Sequence, residues 1–309
     1  MKLHQMYTPL TATPFVRDEK YMEFEPCPAL KPYIKCFWGT KEKVKLRKTD
    51  IPTNGVVTPD TCMDIMFEVD FTNNRIASGF CGIYNTTFNT CNKNDEEKEI
   101  FSFAIRFYAW SVVYFSEESM NGVLNQNFDV GYHFEKIKKE ISSILFYAEN
   151  MEMFIPMVEK ILLENLHTEH SSNLVMETLC KIMEQKGNCK IEDVAKDLHI
   201  SKRQMERLFL EYVGASPKNM ASMIRYQYLW NDLLFRPDFQ IQNAVQEYGY
   251  TDQAHLLHDF KKYHSMNIKE AKKHAYKDVA FNKTSVEVRW IIVQKNNFLR
   301  FSIRLPHYC

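Results

Sequence analysis

The chain has no excess of charge of either sign, because 39 lysines and arginines balance 39 aspartates and glutamates. This balance argues against a strongly basic nucleic-acid binder, so any affinity for DNA has to come from a local patch and fall steeply with salt. Long apolar runs are also lacking. No stretch approaches the roughly eighteen apolar residues of a membrane span, and the first ten residues lack the apolar core of a signal peptide. We therefore expect a cytoplasmic protein without a membrane partner.

Motifs for metal binding and catalysis are scarce. The eight cysteines form no C-x-x-C pair, which argues against a zinc knuckle or a disulfide framework and favours reduced thiols. A metal-dependent barrel needs clustered histidines, yet only His4 and His133 precede the helical part of the chain. The cysteines considered for a zinc-like cluster are too widely spaced; they are Cys27, Cys36, Cys62 and Cys81. With no glycine-rich phosphate loop or nucleophile elbow, we expect no enzyme activity, no cofactor and no metal.

One short pattern occurs twice between Ile191 and Glu270. The first copy reads IEDVAKDLHISKRQMERLFLEY and the second reads IQNAVQEYGYTDQAHLLHDFKKY. In each copy, apolar residues at three- and four-residue spacing predict a short helix, then a break, then an amphipathic helix. In the first copy Ser201 is a good N-cap and Gln204 completes a capping box, so a helix should begin there. This arrangement predicts a helix-turn-helix, whose second helix can enter a DNA major groove.

The second copy follows the same rules. Gly249 suits the left-handed residue that such a turn often needs, and Asp252, or Thr251 just before it, caps the next helix. Between the copies Pro217 opens a long helix and Pro237 ends it. Its apolar stripe contains Met220, Met223, Ile224, Gln227, Tyr228 and Leu234. About twenty helical residues span about 30 Å, close to one turn of B-DNA, so two recognition helices could read successive major grooves. A helical bundle without a nucleic-acid role is the alternative.

The region from about Leu174 to Ala275 resembles the DNA-binding domain of AraC/XylS-type transcription regulators. The matching stretches are VAKDLHISKRQMERLF, VGASPKNM, MIRYQYLW and EYGYTDQAHLLHDFKKY. The family normally closes its second unit with a glycine, a small residue and a proline. This chain has Ser265, Asn267 and Ile268 at those places, so we expect a differently closed last turn.

The resemblance implies which side chains meet DNA. In the first unit it assigns base reading to Arg203, Glu206 and Arg207, while Ser201 and Lys202 are better placed for phosphate. An arginine there can bond guanine through two hydrogen bonds, worth about 1–3 kcal/mol of discrimination. In the second unit the corresponding residues are Gln253, Ala254, His255, Leu257 and His258, with Lys261 on the backbone. Because this helix carries little charge, we expect it to discriminate less between sequences. Solvated surface charge is the alternative for all of these side chains.

The first 130 residues predict short β-strands, which suggests a small antiparallel barrel or sandwich. Strands are expected at 34–40, 63–69, 75–80, near 81–88 and within 100–115, with a short helix at 29–34 and a turn at Asn54-Gly55. The pattern P-D-x-C-x-D-I-x-F from Pro59 to Phe67, Gly79-Phe80, and F-x-I-R-F at 103–107 resemble an uncharacterised N-terminal domain attached to many AraC-type regulators. The resemblance implies a regulatory domain and names no ligand.

Several side chains of this region are candidates for effector binding. They are Trp38, Cys62, Asp64, Phe80, Phe103, Arg106 and Tyr108. Aromatic residues at alternating positions are more often simply core. Asp64 lies between apolar neighbours, and a carboxylate inside a barrel needs a partner such as Arg106 or a cationic ligand. Capping a turn at the rim is the other interpretation of Asp64.

From Val130 two apolar stripes at helical spacing predict two helices. They could link a sensor to a DNA reader, pair with a second subunit or simply cover the barrel. The patterns divide the chain into a β-rich sensor domain at 1–130, linker helices at 131–170, an AraC-type DNA-binding domain at 171–278 and a tail with a possible β-hairpin at 279–309.

The expected fold class is therefore α+β, with a β-rich N-terminal domain, linker helices and an all-α C-terminal domain that has two helix-turn-helix units. We expect a sequence-specific transcription regulator that binds double-stranded DNA and is controlled by a small-molecule effector or by homodimerisation. An activator would also contact RNA polymerase. The alternative function is a ligand- or protein-binding interaction protein with weak or no DNA binding.

Overall fold

The computed structural model describes residues 2–12, 14, 21–48, 53–92 and 96–276. The strands in this part of the chain are β1 (Met22–Phe24), β2 (Ile34–Gly39), β3 (Val44–Leu46), β4 (Thr53–Val57), β5 (Cys62–Asp70), β6 (Arg75–Cys81), β7 (Phe88–Asn92), β8 (Lys98–Tyr108) and β9 (Asn127–Phe128). The helices are α1 (Leu3–Met6), α2 (Val130–Leu145), α3 (Met151–Glu164), α4 (Asn173–Glu184), α5 (Ile191–Asp197), α6 (Lys202–Val213), α7 (Pro217–Phe235), α8 (Ile241–Glu247), α9 (Gln253–His264) and α10 (Ile268–Ala275). The order confirms the α+β class.

The main sheet is antiparallel, with the strand order β1-β2-β8-β5-β6-β9, and β3 pairs with the far end of β8. The long strands β5 and β8 form its centre, where Asp64 lies opposite Arg106 and Ile65 lies opposite Ile105. A separate ladder joins β4 and β7. Among the described strands the path ends at β1 and β9, so the sheet is open along it and forms no closed barrel.

Alternation along the strands gives the sheet two different faces. One face is apolar and is covered by α2 and α3: the Phe80 ring lies 4.9 Å from the Phe134 ring, and the Phe103 ring lies 5.0 Å from the Phe154 ring. The two helical stripes predicted from the sequence therefore cover the sheet. The opposite face carries Arg106 and its partners.

The helices α4 to α10 form two helix-turn-helix units around α7. In the first unit α5 and α6 meet at a turn, and in the second α8 and α9 repeat that arrangement. The helix α7 begins at Pro217, whose missing N–H is harmless in a first turn, and ends before Pro237 as predicted. Its 19 residues correspond to about 28 Å. Large buried side chains of α7, including Tyr226 and Trp230, form the common core.

Three local predictions for the N-terminal part are wrong. Asn54-Gly55 is not a turn but lies in β4, where Gly55 faces Thr90; an added Cβ would lie 2.6 Å from the Thr90 hydroxyl, so glycine serves close strand approach. No helix forms at 29–34, because Pro32 cannot donate a helical hydrogen bond, and two consecutive turns form instead.

The third error is the strand expected near 81–88. After β6 the backbone hydrogen-bonds to the loop before β9, with Gly82 N–H donating to the Gln126 carbonyl and Asn125 N–H donating to the Ile83 carbonyl. The next strand begins only at Phe88. The hairpin expected at 279–309 lies outside the described residues.

Candidate nucleic-acid interface and candidate effector face

The first recognition helix, α6, buries one face and exposes the other. Its N-terminus is capped by the Ser201 hydroxyl, which accepts from the Gln204 N–H at 3.1 Å, as the sequence predicts. The buried face contains Met205, Phe209 and Val213. The predicted DNA-contacting residues lie on the other faces: Ser201, Lys202, Arg203 and Arg207 are exposed, and Glu206 is half-buried. No described part of the chain seals this surface.

The basic side chains of α6 differ in their existing partners. The Lys202 ammonium lies 2.7 Å from a Glu192 carboxylate oxygen of α5, and this hydrogen bond raises the pKa of Lys202. Arg207 lies 3.9 Å from Glu211, one turn along the same helix. Arg203 has no ion pair with any described residue. It is therefore the cation of α6 most available to a new partner.

The second recognition helix, α9, has the same construction with a different outer face. The Asp252 carboxylate caps it by accepting from the His255 N–H at 2.8 Å, so Asp252 rather than Thr251 is the cap. Leu256, Phe260 and Tyr263 are buried, as predicted. The predicted contact residues are all exposed: Gln253, Ala254, His255, Leu257, His258 and Lys261. Lys261 is the only formal cation among these six, so any base reading here is mainly uncharged.

The two turns use different residues in the same backbone conformation. His199 has φ 54° in the first unit and Gly249 has φ 65° in the second. Glycine adopts this left-handed region without a steric cost, whereas histidine does not. The second unit closes differently from the resembling family: Ser265 takes φ 59°, and Asn267 forms a capping box with Glu270 at the start of α10. A left-handed serine thus stands in place of the glycine, the asparagine cap stands in place of the small residue, and Ile268 begins α10 where the family has proline.

The N-terminal segment 2–12 lies against the central helix α7. The side-chain amide of Gln227 donates to the Leu10 carbonyl at 3.0 Å and accepts from the Leu10 N–H at 2.7 Å. The Tyr228 hydroxyl donates to the Met6 carbonyl at 3.0 Å. Gln227 is only 1% exposed, so these bonds satisfy a polar group inside the core. The segment therefore belongs to the same packed unit as α7.

The far ends of both recognition helices also contact the N-terminal half of the chain. Met120 N–H donates to the Glu211 carbonyl of α6 at 2.8 Å. Gly214, which ends α6 at φ 75°, is so close to this segment that an added Cβ would lie 2.3 Å from a Val123 methyl group. In the second unit the Thr87 hydroxyl donates to the carbonyl of Tyr263. The N-terminal half thus touches α6, α7 and α9.

The polar face of the sheet holds a buried group of charges, which we name the Arg106 cluster: Arg106, Asp60, Asp64 and Trp38. Arg106 is 8% exposed, and its Nε lies 2.9 Å from Asp64 Oδ1. The Trp38 indole N–H donates to the same oxygen at 2.7 Å. Arg106 Nη1 lies 3.7 Å from Asp60 Oδ2 and makes no hydrogen bond to any described residue. No described residue therefore uses the Nη1 donor of this buried guanidinium.

Burial and charge act in opposite directions on the pKa values of this cluster. Burial raises the pKa of Asp60, although Arg106 opposes the shift. Burial acts to lower the pKa of Arg106, but the carboxylates of Asp64 and Asp60 hold it well above its usual value. Burial also raises the pKa of the neighbouring Cys36 and Cys81 thiols to about 12. These cysteines stay protonated and unreactive near neutral pH.

The structure separates the seven effector candidates into two groups. Strand register puts one group on the polar face, and it contains Trp38, Cys62, Asp64, Arg106 and Tyr108. Asp64 is paired with Arg106, the first partner considered for it. Phe80 and Phe103 lie on the opposite face, packed against Phe134 and Phe154. An effector site on the polar face would therefore not include Phe80 or Phe103.

Two functional candidates have weak sequence signals. In the sequence Asp60 stands out only as part of a motif. Its pairing with Arg106 joins residues 46 positions apart, and no local pattern indicates it. Gln227 lies in the predicted apolar stripe of α7, and a glutamine at such a position is itself a signal of a long-range hydrogen bond.

The described part of the chain brings together no group of three or more possible metal ligands. Within the same ranges, none of the helices combines the length and apolar character that a bilayer span requires.

Two helix-turn-helix units that share one central helix define a tandem DNA-binding domain. Residues 194–274 match a family model described as a helix-turn-helix domain, and residues 22–129 match a model described as a domain of unknown function. A helix-turn-helix domain thus follows a separate N-terminal domain, which is the arrangement that the predicted resemblance to AraC/XylS-type regulators implies. No curated protein sequence matches the chain.

Several solved structures are similar to parts of the chain. A transcriptional regulator with an AraC-type DNA-binding domain from Chromobacterium violaceum is 19% identical, and the match covers 33% of this chain and 92% of that one at a TM-score of 0.30. A probable AraC family regulator from Rhodopseudomonas palustris is 23% identical over 34% and 98%, at 0.30. ToxT from Vibrio cholerae is 12% identical over 75% and 97%, at 0.37. Similarity at this level assigns no ligand or partner to this chain.

Proposed function

We propose that the chain is a sequence-specific transcription regulator that binds double-stranded DNA through α6 and α9. The observation that carries the proposal is that the predicted contact set, exposed except for half-buried Glu206, lies on two helices whose other faces are buried around α7. A long shared helix of about 28 Å suits two helices that enter successive major grooves, which repeat about every 34 Å. In this proposal residues 171–278 bind DNA, and Ser201 and Lys202 contact phosphate.

In the first unit Arg203 and Arg207 read bases, with Glu206 accepting from cytosine or orienting Arg203. The second unit contributes through the residues already described on α9, and Lys261 contacts the backbone. Because Lys202 is bonded to Glu192, its approach to phosphate requires it to leave or share that carboxylate. We expect the first unit to supply most of the sequence discrimination, since its two arginines can each make a two-point contact with guanine.

The test begins with duplexes selected by the full-length chain from a random-sequence pool. Affinity for the selected duplex is then measured for Arg203→Ala/Arg207→Ala and for Arg75→Ala, which removes an exposed arginine from β6. We expect the double variant to lose at least about 30-fold in affinity, from two contacts worth about 1–3 kcal/mol each. The control should stay within about twofold, and both proteins should unfold at the wild-type temperature.

The same experiment separates the alternative function. If the full-length chain enriches no sequence and shows no salt-dependent binding, the interaction protein with weak or no DNA binding is the better interpretation. If binding occurs but survives the double substitution, α6 is not the reading helix. Log affinity should also fall linearly with log salt concentration, with a slope that reports the number of phosphates contacted.

For the N-terminal half, residues 1–130, we propose a regulatory role in which a small-molecule effector binds the polar face of the sheet. The Nη1 donor of buried Arg106 supports this, because it has no acceptor among the described residues and a ligand with a hydrogen-bond acceptor would satisfy it. Trp38, Cys62, Asp64 and Tyr108 share that face. Native mass spectrometry of the purified chain tests the proposal: a bound molecule lost in Arg106→Met supports it, and an unchanged ligand content contradicts it.

Homodimerisation is a second proposed route of control, and residues 131–170 are its candidate elements. Exposed apolar side chains support it. The helix α3 exposes Met153 and Met157 away from the sheet, and Tyr147, just before α3, is 81% exposed. Sedimentation equilibrium of the wild type and of Met153→Glu/Met157→Glu tests it. A dimer that dissociates in the variant supports the proposal. If the output is activation, we expect RNA polymerase to be a further partner.

A further inference from the structure

The short connection between β4 and β5, residues 58–61, touches both the Arg106 cluster and the central helix α7. We name it the relay loop. On one side the Asp60 carboxylate lies 3.7 Å from Arg106 Nη1. On the other side the Pro59 carbonyl accepts a 2.7 Å hydrogen bond from the side-chain amide of Gln227. Two adjacent residues, Pro59 and Asp60, therefore make the contact with the helical core around α7 and the contact with the sheet cluster.

The Asp60 end of the loop is held weakly on one side. Its Oδ1 accepts from the Cys62 N–H at 3.0 Å, which fixes the turn locally. Its Oδ2 faces Arg106 at a distance beyond a hydrogen bond, while Asp64 takes the other two nitrogens of the guanidinium. The contact of Arg106 with Asp60 is therefore longer than its contacts with Asp64, and no hydrogen bond holds it.

The Gln227 end is held tightly. Its amide makes three hydrogen bonds, two with the backbone of Leu10 and one with Pro59, and it is almost fully buried in α7. A shift of the loop would leave at least one of these polar groups unpaired, which is costly in a buried site. The same three bonds also link the loop to the N-terminal segment, so the segment and α7 respond together.

Backbone strain in the loop points to the same place. Thr61 has φ 58°, in the left-handed region that a β-branched residue rarely adopts. It is kept there by the Ala109 N–H, which donates to its carbonyl at 3.0 Å, and by its hydroxyl, which bonds to the Tyr7 hydroxyl at 3.0 Å. Strained residues of this kind persist only where the surroundings hold them, and they are common at switches.

From these contacts we propose that the relay loop transmits the state of the Arg106 cluster to α7, and through α7 to both recognition helices. The inference rests on the proposed regulatory role of the polar face. A molecule that draws Arg106 away from Asp60 releases the loop, and the released loop loosens the Pro59–Gln227 bond. Since α7 is the shared support of α6 and α9, one change at the cluster alters the two helices at once.

The test measures amide hydrogen exchange of the full-length chain without DNA, which reports local opening. Asp60→Asn keeps the shape of the side chain and removes its charge. We expect exchange in α7 to rise at least about fivefold, the lower range of allosteric coupling, although Asp60 does not itself bond to α7. The matched control is Glu68→Gln. It removes a 2.7 Å ion pair with Lys98 between β5 and β8, away from the relay loop. It should change exchange in α7 by less than about twofold.

A double-substitution cycle decides whether the two ends act as one unit. Gln227→Met should raise exchange in α7, and adding Asp60→Asn to it should raise exchange little further. If Gln227→Met does not fold, Thr61→Gly replaces it, because it frees the strained backbone and keeps both ends of the loop. In that background the effect of Asp60→Asn on α7 should disappear. An effect of Asp60→Asn confined to the sheet, or one that multiplies with the second change, overturns the relay.

The DNA measurement keeps this inference separate from the proposed function. On a duplex selected by the wild type, Asp60→Asn should change affinity at least about fivefold and Glu68→Gln should not. If the wild type selects no DNA, the regulator proposal fails while the exchange data still decide on the relay. If DNA binding is normal and unaffected in every loop variant, and α7 exchange is unchanged, the relay is wrong and the regulator proposal stands.

Discussion

The two helix-turn-helix units have the same architecture but opposite distributions of polar groups. The first presents two arginines and a lysine on α6 and packs its inner face mainly through apolar side chains. The second carries the exposed charges of α9 at its far end, on Lys261 and Lys262, and exposes no lysine or arginine on its first two turns. Other polar groups of this unit are turned inward, toward α7.

These inward contacts are short and numerous. Arg225 of α7 lies 3.1 Å from Asp259 of α9, with its guanidinium 4.5 Å from the Tyr250 ring. The Tyr226 hydroxyl lies 2.7 Å from Nδ1 of buried His264, the last residue of α9. Among the described residues, no comparable polar bond joins α7 to α6. The comparison teaches that the two copies are specialised: the first exposes its arginines on the outer face of α6, and the second joins its helix to α7 through buried polar pairs.

The largest expected effect comes from breaking the inner ion pair of the second unit. Arg225→Met leaves the Asp259 carboxylate mostly buried beside only the Tyr250 hydroxyl, so we expect a loss of about 3 kcal/mol in the free energy of unfolding. Urea denaturation followed by circular dichroism measures it. The matched control is Arg236→Met, an arginine whose ion pairs are more exposed to solvent and should contribute much less to the free energy of unfolding. Equal losses in the two variants would contradict the specialisation.

The next effect sharpens the comparison on the DNA side. Arg203→Ala should weaken binding to a selected duplex by about 1–3 kcal/mol, or roughly fivefold to more than 100-fold, because a two-point contact with guanine is lost. Gln253→Ala at the corresponding end of α9 should weaken it less. Fluorescence anisotropy with labelled duplex measures both affinities. A larger loss for Gln253→Ala would mean that α9 is the main reader.

The buried imidazole of the second unit predicts a pH dependence of stability. Burial lowers the pKa of His264 to about 3, with a further contribution from His274, whereas the unfolded chain has an ordinary value near 6.5. Between these values the unfolded state binds the proton and the folded state does not. Stability is therefore fully present above about pH 6.5 and falls with decreasing pH, by up to about 1.4 kcal/mol per unit.

Denaturation at several pH values between 7.5 and 5 measures this slope. His264→Leu should flatten it, even though the variant is less stable because Tyr226 loses its partner. His258→Gln, which removes an exposed imidazole from the same helix, is the control and should keep the wild-type slope. If His264→Leu retains the slope, the acid sensitivity originates elsewhere.

The smallest expected effect concerns the two turns. Gly249→Ala puts a side chain at φ 65° and 2.0 Å from the Asn188 amide, which can rotate away, so the cost should be about 1–2 kcal/mol from the backbone alone. His199→Gly should be neutral or stabilising by up to about 1 kcal/mol, because glycine relieves the left-handed strain. Thermal unfolding measures both. Destabilisation of the first unit by His199→Gly would show that the imidazole itself holds that turn.

The sequence predicts the helical part well, since its signals are local. Caps at Ser201 and Asp252, the start at Pro217 and the left-handed Gly249 each act within a few residues of the chain. The turn signal of Asn54-Gly55 fails for the opposite reason, because pairing with a strand 35 positions away decides its conformation. The Arg106 cluster, the relay loop and the contact of residues 2–12 with α7 also depend on distant pairs, which no local pattern encodes.

The docking of residues 2–12 on α7 has a practical consequence for anyone dissecting the molecule. A fragment that begins near residue 171 would bring the Gln227 amide, the Trp230 indole N–H and the apolar surface that covers Tyr7 and Leu3 into water. Such a fragment should aggregate or melt early unless a peptide with the sequence of the missing segment is supplied in trans.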